Sequence, residues 1–450
     1  MVFINNTLIL QRYLIYYYAF MKFSIRFTLI LLVSAYLTAC SVQKSTPQQN
    51  TNTVKAEKTD KEKTDKMVVT AINAKYLLAD TSNAKIYFKI DLSNMTTSTD
   101  LKAIDKVFNI QWSIVPETGI REKLKSGKIN FDFENIEKTA TGLEIVAEIS
   151  KPKGLQQGTF VIDFIDTETS VKYTYDLPMD FSGKRIQTRY AFFESPTAKF
   201  PFFQNYVNIS KKLYLRSYSS PNSEVNLVHQ KNLSSGALSP MSTSKKDESK
   251  EYEVISNKPI QTNQEISFNE VGNYFLTQDV QNPVDAFGFV VLDDRFPRLT
   301  QTDDLIQPLI YMSTPKEIEL LKTTENSKEA LDMYFLNLGG GDQKLAKNII
   351  SSYYKRVSEA NTLFSNYKEG WKTDKGMVYI IMGPPNRVQK NRQKEIWQYT
   401  QNQNSSDIIF TFQKKNNKYI TDHFELVRYL EYASFWYPYV ELWRKGSILE

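Results

Sequence analysis

Cysteine and histidine, two residue types that serve widely in catalysis and metal binding, are almost absent from this chain. Cys40 is the only cysteine in 450 residues, which excludes an intramolecular disulfide and a metal cluster held by cysteines. The only histidines, His229 and His423, lie far apart in the sequence, which argues against a paired-histidine metal site or a histidine-activated nucleophile. The sequence therefore predicts no metal site and no cofactor, and it offers no catalytic residue.

An excess of charge of one sign is also lacking. The 56 basic and 50 acidic side chains leave a net charge of +6, too little to form a basic stripe on a chain of this length, so nucleic-acid binding is excluded. Two acidic pairs, Asp293–Asp294 and Asp303–Asp304, could supply oxygens to Ca²⁺, but the spacing of a Ca²⁺-binding loop is missing around them. Solvated acidic turns are the simpler interpretation.

Apolar residues, by contrast, are plentiful. They make up 41% of the chain, and aromatic residues make up 13%, which is enough to build a buried core without disulfides. At about 100–200 residues per domain, the chain has room for two or three domains.

A short hydrophobic run near the N-terminus ends at Cys40. Lys22 and Arg26 precede the apolar run Phe27–Tyr36, and small residues stand immediately before the cysteine. This order is typical of a secretory signal peptide, here over residues 1–39. Its lipobox resembles that of bacterial lipoproteins, which implies that Cys40 is diacylated, becomes the mature N-terminus and holds the protein to a lipid bilayer.

The start of the signal peptide depends on the choice of initiator. Met21 followed by a lysine opens a signal peptide of ordinary length, so residues 1–20 are best explained as a mis-assigned start, and an uncleaved membrane-spanning helix is the alternative. Residues 40–66 are polar and form a flexible tether behind the lipid. Ser41 after the cysteine fits sorting to the outer membrane, and we expect the protein to face the periplasm.

Two β-rich domains are predicted next. From residue 67 to 182 apolar and polar residues alternate in runs bounded by turn residues, which predicts a β-sandwich without a convincing helix. Residues 183–312 continue this character and predict a second β-domain, with Ser234–Lys250 as an exposed loop and a soft boundary near residue 182. The predicted strands are Lys85–Leu92, Phe108–Ile114, Leu143–Ile149, Gly158–Phe164, Leu213–Tyr218, Tyr252–Ile255, Gly272–Thr277 and Ala286–Leu292.

Residues 313–450 predict an α+β module, helices packed on a small antiparallel sheet. Thr314, Pro315 and Glu317 have the pattern of a capped helix start, and apolar residues recur at helical spacing from about residue 342 to 367. The apolar run Met377–Met382 predicts a buried strand. The other predicted strands are Glu395–Tyr399, Asp407–Gln413 and Tyr419–Val427. The whole chain is thus predicted to be multidomain and mainly β, with two sandwich-like domains before this module.

Two segments of the module carry a signature that resembles a known family. They read Tyr354-x-Arg356-Val357-x-x-Ala360-Asn361-x-x-Phe364 and Gly370-Trp371-x-Thr373-Asp374-x-Gly376, the second followed by Gly383-Pro384-Pro385. With Glu395–Tyr399 and Val440–Gly446, they closely resemble the GWxTD domain family of Bacteroidetes and related bacteria, over roughly residues 315–446. The resemblance implies an exported protein or lipoprotein with β-rich N-terminal regions, but it implies no activity.

The signature residues have structural interpretations of their own. Trp371 suits packing at the joint between a helix and a strand, or else stacking on a ligand. Thr373 and Asp374 suit hydrogen bonds to the backbone of a turn. Arg356 is expected to pair with Asp374 or to bond turn carbonyls, with an anion or polysaccharide contact as the alternative. Further candidates for structural or partner contacts are Asn361, Trp397, Trp443 and Arg444.

The C-terminal segment is unusually aromatic, from Tyr429 to Trp443. It is expected either to wrap back and complete the core of the module or to expose an aromatic strip to a partner or glycan. The leading hypothesis is a non-enzymatic envelope lipoprotein that docks another envelope protein through its GWxTD module. One alternative is a hydrolase of envelope glycan or peptide using carboxylates near Asp374, and another is a carbohydrate-binding module.

Overall fold

The computed structural model describes residues 66–448, except 81, 97, 118–121, 132–133, 232–233, 245–252, 282–284, 391–392, 401–405, 418 and 421–422. The predicted signal peptide, Cys40 and nearly all of the tether lie outside the described residues. Within the described part of the chain, none of the helices combines the length and the apolar character needed to cross a bilayer.

Residues 68–180 form a β-sandwich of two four-stranded antiparallel sheets. In chain order its elements are β1 (Val68–Leu78), β2 (Asn83–Ser93), α1 (Leu101–Val107), β3 (Phe108–Pro116), β4 (Lys125–Ile129), β5 (Ile136–Lys138), β6 (Gly142–Ser150), β7 (Gln157–Asp166) and β8 (Lys172–Asp180). One sheet has the order β1-β2-β6-β5 and the other β4-β3-β7-β8. Phe88 and Phe160 meet between the sheets with ring centroids 5.7 Å apart. The four strands predicted here all form, and α1, capped by Asp100, is an addition.

The next region is also built from two sheets with a shared core. Its strands are β9 (Ala191–Phe193), β10 (Tyr206–Asn208), β11 (Leu213–Arg216), β12 (Glu224–Gln230), β13 (Val254–Gln261), β14 (Glu265–Ile266), β15 (Gly272–Thr277) and β16 (Phe287–Leu292). A five-stranded sheet has the order β10-β16-β15-β12-β13, and a three-stranded sheet has the order β14-β11-β9. Leu213 and Leu215 from the smaller sheet pack with Leu276 and Val291 from the larger one.

Helices packed on a four-stranded sheet make up the rest of the described chain. The elements are α2 (Thr302–Ile306), α3 (Pro315–Thr323), α4 (Ser327–Leu338), α5 (Gln343–Phe364), α6 (Asp374–Met382), β17 (Arg387–Lys390), β18 (Lys394–Tyr399), β19 (Ile408–Lys414), β20 (Phe424–Leu426) and α7 (Ala433–Arg444). The sheet is antiparallel, in the order β17-β18-β19-β20. The mainly β chain with a C-terminal α+β module agrees with the predicted fold class.

The helix starts follow the sequence signals. The Thr314 side chain accepts a hydrogen bond from the Glu317 backbone, and the Glu317 carboxylate accepts one from the Thr314 backbone, which completes the capping box of α3. Asp342 caps α5 by accepting from the backbone of Lys344 and Leu345. Both caps satisfy amide groups that have no partner inside the helix.

The strand predicted over Met377–Met382 is wrong, because these residues belong to helix α6. Every residue from Gly376 to Met382 is buried. A helix enclosed on all sides shows no amphipathic period, so a short apolar run gives the same pattern for a buried helix and a buried strand. The feature that distinguishes a helix from a strand here lies just before the run. The Thr373 side chain accepts from the amide of Gly376, three residues later, and so caps the start of α6.

Two further segments differ from the sequence expectation. Residues 234–250 were expected to be an exposed loop. Residues 245–250 lie outside the described residues, and in the part that is described Ala237 packs with the helices and Pro240 is buried. The aromatic tail forms helix α7 and divides its side chains, with Trp436 and Trp443 in the core and Tyr437 exposed. The two tryptophans complete the core of the module, and contact between the exposed Tyr437 and a partner or glycan stays a prediction.

Candidate functional site

Two glycines bring three backbone segments into contact at the signature. A Cβ atom at Gly370 would lie 2.1 Å from the carbonyl oxygen of Ala360 in α5. A Cβ atom at Gly376 would lie 1.9 Å from the carbonyl oxygen of Gly370. Real Cβ atoms do not approach oxygen this closely, so α5, the 3₁₀ turn Gly370–Lys372 and α6 can stack only with glycine at both positions.

Asn361 fastens the turn from the side of α5. Its Oδ1 accepts from the backbone amide of Trp371 at 3.0 Å, and its Nδ2 donates to the carbonyl of Pro297 at 3.0 Å. The residue is fully buried. Asn361 therefore joins the turn both to its own helix and to the loop that precedes α2.

Two hydroxyl groups satisfy the backbone amide and carbonyl of Gly370. Ser365 Oγ accepts from the amide of Gly370 at 2.9 Å, and Thr373 Oγ1 donates to the Gly370 carbonyl at 2.7 Å. Thr373 Oγ1 also accepts from the amide of Gly376 at 3.0 Å, as the N-cap of α6. The turn is thus held by side chains on both sides.

Asp374 pairs with an arginine that the sequence did not single out. Its Oδ1 lies 2.7 Å from Nη2 of Arg428, and its Oδ2 accepts from the backbone amide of Leu426 at 2.7 Å. The expected pairing of Arg356 with Asp374 is wrong, because Arg428 follows β20 and reaches Asp374 across 54 positions of sequence. The spacing of residues within one segment cannot predict a contact between residues so far apart in the sequence.

Arg356 lies instead among aromatic rings. Its guanidinium is 5.6 Å from the ring centre of Tyr379 and 5.8 Å from that of Trp443, and Nη1 donates to the Tyr379 carbonyl at 3.3 Å. Burial lowers the pKa of Arg356. Gly383 ends α6 with a φ of +84°. A Cβ atom on Gly383 would lie 2.5 Å from Nη1 of Arg356.

Trp371 is buried, with 4% of its surface exposed, so its ring does not stack on anything outside the protein. Its carbonyl accepts from the Tyr311 hydroxyl at 2.7 Å, and that hydroxyl accepts from the amide of Ala237 at 2.9 Å. A Cβ atom at Gly236 would be 3.2 Å from the indole. Residues 234–244, named the covering loop below, therefore lie directly over Trp371.

The covering loop is also held by Arg428. The Arg428 side chain donates to the carbonyls of Leu238 at 3.3 Å and Ser239 at 3.2 Å, and the amide of Tyr429 donates to the Pro240 carbonyl at 3.2 Å. Arg428 thus joins the loop to Asp374 of the signature.

Glu395 is a buried carboxylate that the sequence reasoning missed. Its Oε2 lies 2.7 Å from Nζ of Lys375, and its Oε1 accepts from the indole Nε1 of Trp397 at 2.7 Å. Burial by itself raises the pKa of Glu395, but nearby Lys375 and Lys390 bring it below its ordinary value. The sequence did contain a signal for this buried carboxylate, because the glutamate stands two residues before a tryptophan on the same, inward side of β18.

The C-terminal candidates fasten α7 to the other helices. Trp443 is fully buried and donates from Nε1 to the Ile381 carbonyl of α6 at 3.0 Å. Arg444 forms two hydrogen bonds to Glu317 of α3, at 2.8 and 3.0 Å, and a third to the Met312 carbonyl.

Pro384 and Pro385 lead the chain from α6 to β17. Gly383 before them accepts at its carbonyl from the Tyr399 hydroxyl at 2.8 Å. The Gly-Pro-Pro segment is a turn, and Pro385 is buried in it.

A large cleft runs along the same part of the module. It has a volume of about 1290 Å³ and is lined by strands β1 and β8 of the sandwich, by segments between residues 185 and 207, and by residues around the signature. Thr373, Asp374 and Lys375 belong to its wall, as do Glu395 and His423. Among the described residues, no group of three or more His, Cys, Asp or Glu side chains is placed to hold a metal ion.

Comparison with known protein families identifies the C-terminal module. The family model of the GWxTD domain matches residues 272–445, and no curated protein matches the chain. The match begins at β15, earlier than the region around residue 315 where the resemblance was seen. This agrees with the contacts, because the amide of Gly288 in β16 donates to the Tyr419 carbonyl at 2.7 Å. Residues 272–445 of this chain form a GWxTD domain, with the glycines, Trp371, Thr373 and Asp374 at the junction of α5 and α6.

Proposed function

We propose that this chain is a non-catalytic docking protein of the bacterial envelope, of the kind found in Bacteroidetes. An acylated Cys40 anchors it to the outer membrane facing the periplasm, and its GWxTD domain binds another envelope protein. The observation that carries the proposal is that the polar groups of the signature are engaged inside the protein. Asn361, Thr373 and Asp374 all bond to nearby backbone groups, so they hold the domain in shape.

The same contacts favour docking over the hydrolase alternative. A hydrolase that used Asp374 would need that carboxylate and a second acid free to face substrate. Both Asp374 oxygens are occupied, one by Arg428 and one by the Leu426 amide, and Glu395 is held by Lys375 and Trp397. Carboxylates tied to cations and amides in this way serve as structural contacts.

A surface suited to docking lies at the start of α7. Tyr429 is 51% exposed, Leu430 65% and Tyr437 57%, and these three residues are called the α7 patch below. Leu430 lies in the 3₁₀ turn Leu430–Tyr432 directly before α7, and Tyr437 lies in the second turn of α7. Tyrosine is enriched among the residues that contribute most to protein–protein binding.

The carbohydrate-binding alternative has less support. Within the described part of the chain, the aromatic residues with more than one third of their surface exposed are Tyr429, which precedes α7, and Tyr437, which lies on α7. A flat sugar ring stacks best on coplanar aromatic side chains, such as those along one face of a sheet.

The docking proposal is tested by replacing the α7 patch in the full-length protein. Native membranes are crosslinked, and the proteins captured by wild type are compared with those captured by Tyr429→Ser/Leu430→Ser/Tyr437→Ser. We expect the triple variant to lose a crosslinked envelope protein, because the apolar contact area is removed without disturbing the core.

The matched control is Leu320→Ser/Met333→Ser, which removes exposed apolar side chains of α3 and α4 that are 66% and 48% exposed. It should capture the same proteins as wild type. An identical set of captured proteins for wild type and the patch variant, with the fold intact by circular dichroism, would contradict docking through this patch.

A further inference from the structure

Strand β13 forms an exposed edge of the five-stranded sheet. It stands at the end of the strand order and pairs with β12 on one side, and among the described residues its other side has no strand partner. All residues from Val254 to Pro259 are exposed. Val254 and Ile255 are 53% and 49% exposed, so the edge also carries apolar surface. An edge of this kind is a template for pairing with a strand of another chain.

The hydrogen bonds to β12 show which residues of β13 point outward. The amide of Thr262, directly after β13, donates to the carbonyl of Ser223 at 3.0 Å, so Thr262 points toward β12. In an antiparallel pair, both backbone groups of a residue point to one side, and those of the next residue point to the other side. The register is regular over this part of β13, so the residues that point to the outer edge are Asn257, Pro259 and Gln261.

Pro259 therefore occupies an outward-pointing position, opposite Asn226 of β12. Proline has no N–H, so this position offers the outer edge a carbonyl but no donor. Because the position points away from β12, the proline removes none of the hydrogen bonds between the two strands.

A β-bulge interrupts the same edge. The register shifts between His229 and Gln230 of β12, which leaves Ile255 as an extra residue on β13. A bulge disrupts the ladder, bends the strand and increases its twist. Between the bulge and the end of the strand, the outward residues that can donate to another strand are therefore Asn257 and Gln261.

Strand β8 repeats this arrangement of proline at an edge of the sandwich. It is the last strand in the order β4-β3-β7-β8. The amide of Phe181 donates to the carbonyl of Gln156 at 2.8 Å, and the register is regular, so Pro178 points away from β7. Proline thus stands at an outward position in two edge strands of this chain, where it blocks pairing without weakening the sheet.

We propose that Pro259 keeps β13 from pairing with β13 of a second copy of this chain. Two identical edge strands can pair antiparallel about a two-fold axis, because each then presents the same surface to the other. The missing donor would be lost twice in such a pair, once from each copy. The inference concerns the edge of β13 and does not depend on docking through the α7 patch.

The test measures the mass of the full-length protein in a density-matched detergent by analytical ultracentrifugation at increasing concentration. We expect the mass of wild type to be independent of concentration. Pro259→Thr restores an outward donor in a residue that suits a strand, and we expect its mass to rise with concentration toward twice that of wild type. Asn257→Pro/Pro259→Thr returns a proline to the outer edge and should again have the mass of wild type.

Asn257→Thr is the matched control, because it adds the same side chain to the outer edge and leaves Pro259 in place. It should have the mass of wild type at every concentration, and so should the α7 patch variant. A Pro259→Thr variant with the mass of wild type throughout would overturn the proposal. So would dimers of Asn257→Thr, or Pro259→Thr dimers that Asn257→Pro does not dissociate. A wild type that pairs already, and that Asn257→Pro dissociates, would overturn it too, since the edge would then be open.

Discussion

Gly376 shows how a single residue determines the geometry of the signature. It lies in the first turn of α6 and meets the carbonyl of Gly370, where a Cβ atom would come within 1.9 Å. Its backbone is ordinary helix, so the requirement for glycine comes from this contact and not from an unusual φ. In most helices alanine is better than glycine by about 1 kcal/mol, and here the contact reverses that preference.

We therefore predict that Gly376→Ala destabilises the protein by about 2–3 kcal/mol, because the added methyl group must push α6 away from the turn. Urea unfolding followed by circular dichroism measures the change. Gly340→Ala is the control, since a Cβ atom there meets nothing within 4 Å and only its φ of +62° is strained. A loss for Gly376→Ala no larger than the control would contradict the contact.

Residue pairing was predicted less well than residue burial. The sequence predicted that Thr373 and Asp374 bond to the backbone of their turn; Thr373 does so, but Asp374 accepts from the Leu426 amide of β20 instead. Its charged partner, Arg428, could not be found, because the pair depends on β20 returning beside α6. Arg356 was expected to have a structural role, and it donates to the Tyr379 carbonyl of α6, but the positions of the Tyr379 and Trp443 rings around it follow from the tertiary fold.

Among the strands and helices, the prediction from sequence succeeded where one face of the element is polar. Strands such as β2 and β7 alternate along the chain, and α5 has an apolar stripe, so their periods are visible in the sequence. Helix α6 is buried on all sides, and its period is hidden. The covering loop is polar enough to suggest exposure, yet its Leu238 and Ser239 carbonyls accept from Arg428, and main-chain contacts of this kind leave no trace in the side-chain pattern.

The N-cap of α6 allows a prediction about protein stability. Thr373→Ala removes one hydrogen bond to the Gly376 amide and another to the Gly370 carbonyl, and it should cost about 1–2 kcal/mol. Thr373→Ser keeps the hydroxyl and should cost less than half as much. Thermal unfolding of the two variants beside wild type makes the comparison, and equal losses would show that the methyl group of Thr373 matters more than the cap.

At the scale of the molecule, the GWxTD domain relies on strands that precede its helices. The family match includes β15 and β16, and Phe275 of β15 contacts Tyr419 with ring centroids 5.4 Å apart. The covering loop comes from still earlier in the chain and shields Trp371. A domain boundary at residue 313, where the composition changes, cuts through these contacts.

We accordingly predict that a chain starting at residue 313 does not fold cooperatively, whereas one starting at residue 184 does. The shorter chain loses the covering loop, β15, β16 and the Pro297 carbonyl that binds Asn361. Differential scanning calorimetry and near-ultraviolet circular dichroism distinguish the two. A sharp transition in the shorter chain at the temperature of the longer one would show that the helices and their sheet are self-sufficient.

The burial of tryptophan in the GWxTD domain has a spectroscopic consequence. Four of the five tryptophans in the chain, Trp371, Trp397, Trp436 and Trp443, lie in the single core of this domain, and the fifth, Trp112, lies in the sandwich. Intrinsic emission therefore reports mostly on one domain. Replacing Trp112 with phenylalanine would make that signal specific, so that opening of the GWxTD domain could be followed as a red shift while the sandwich stays silent.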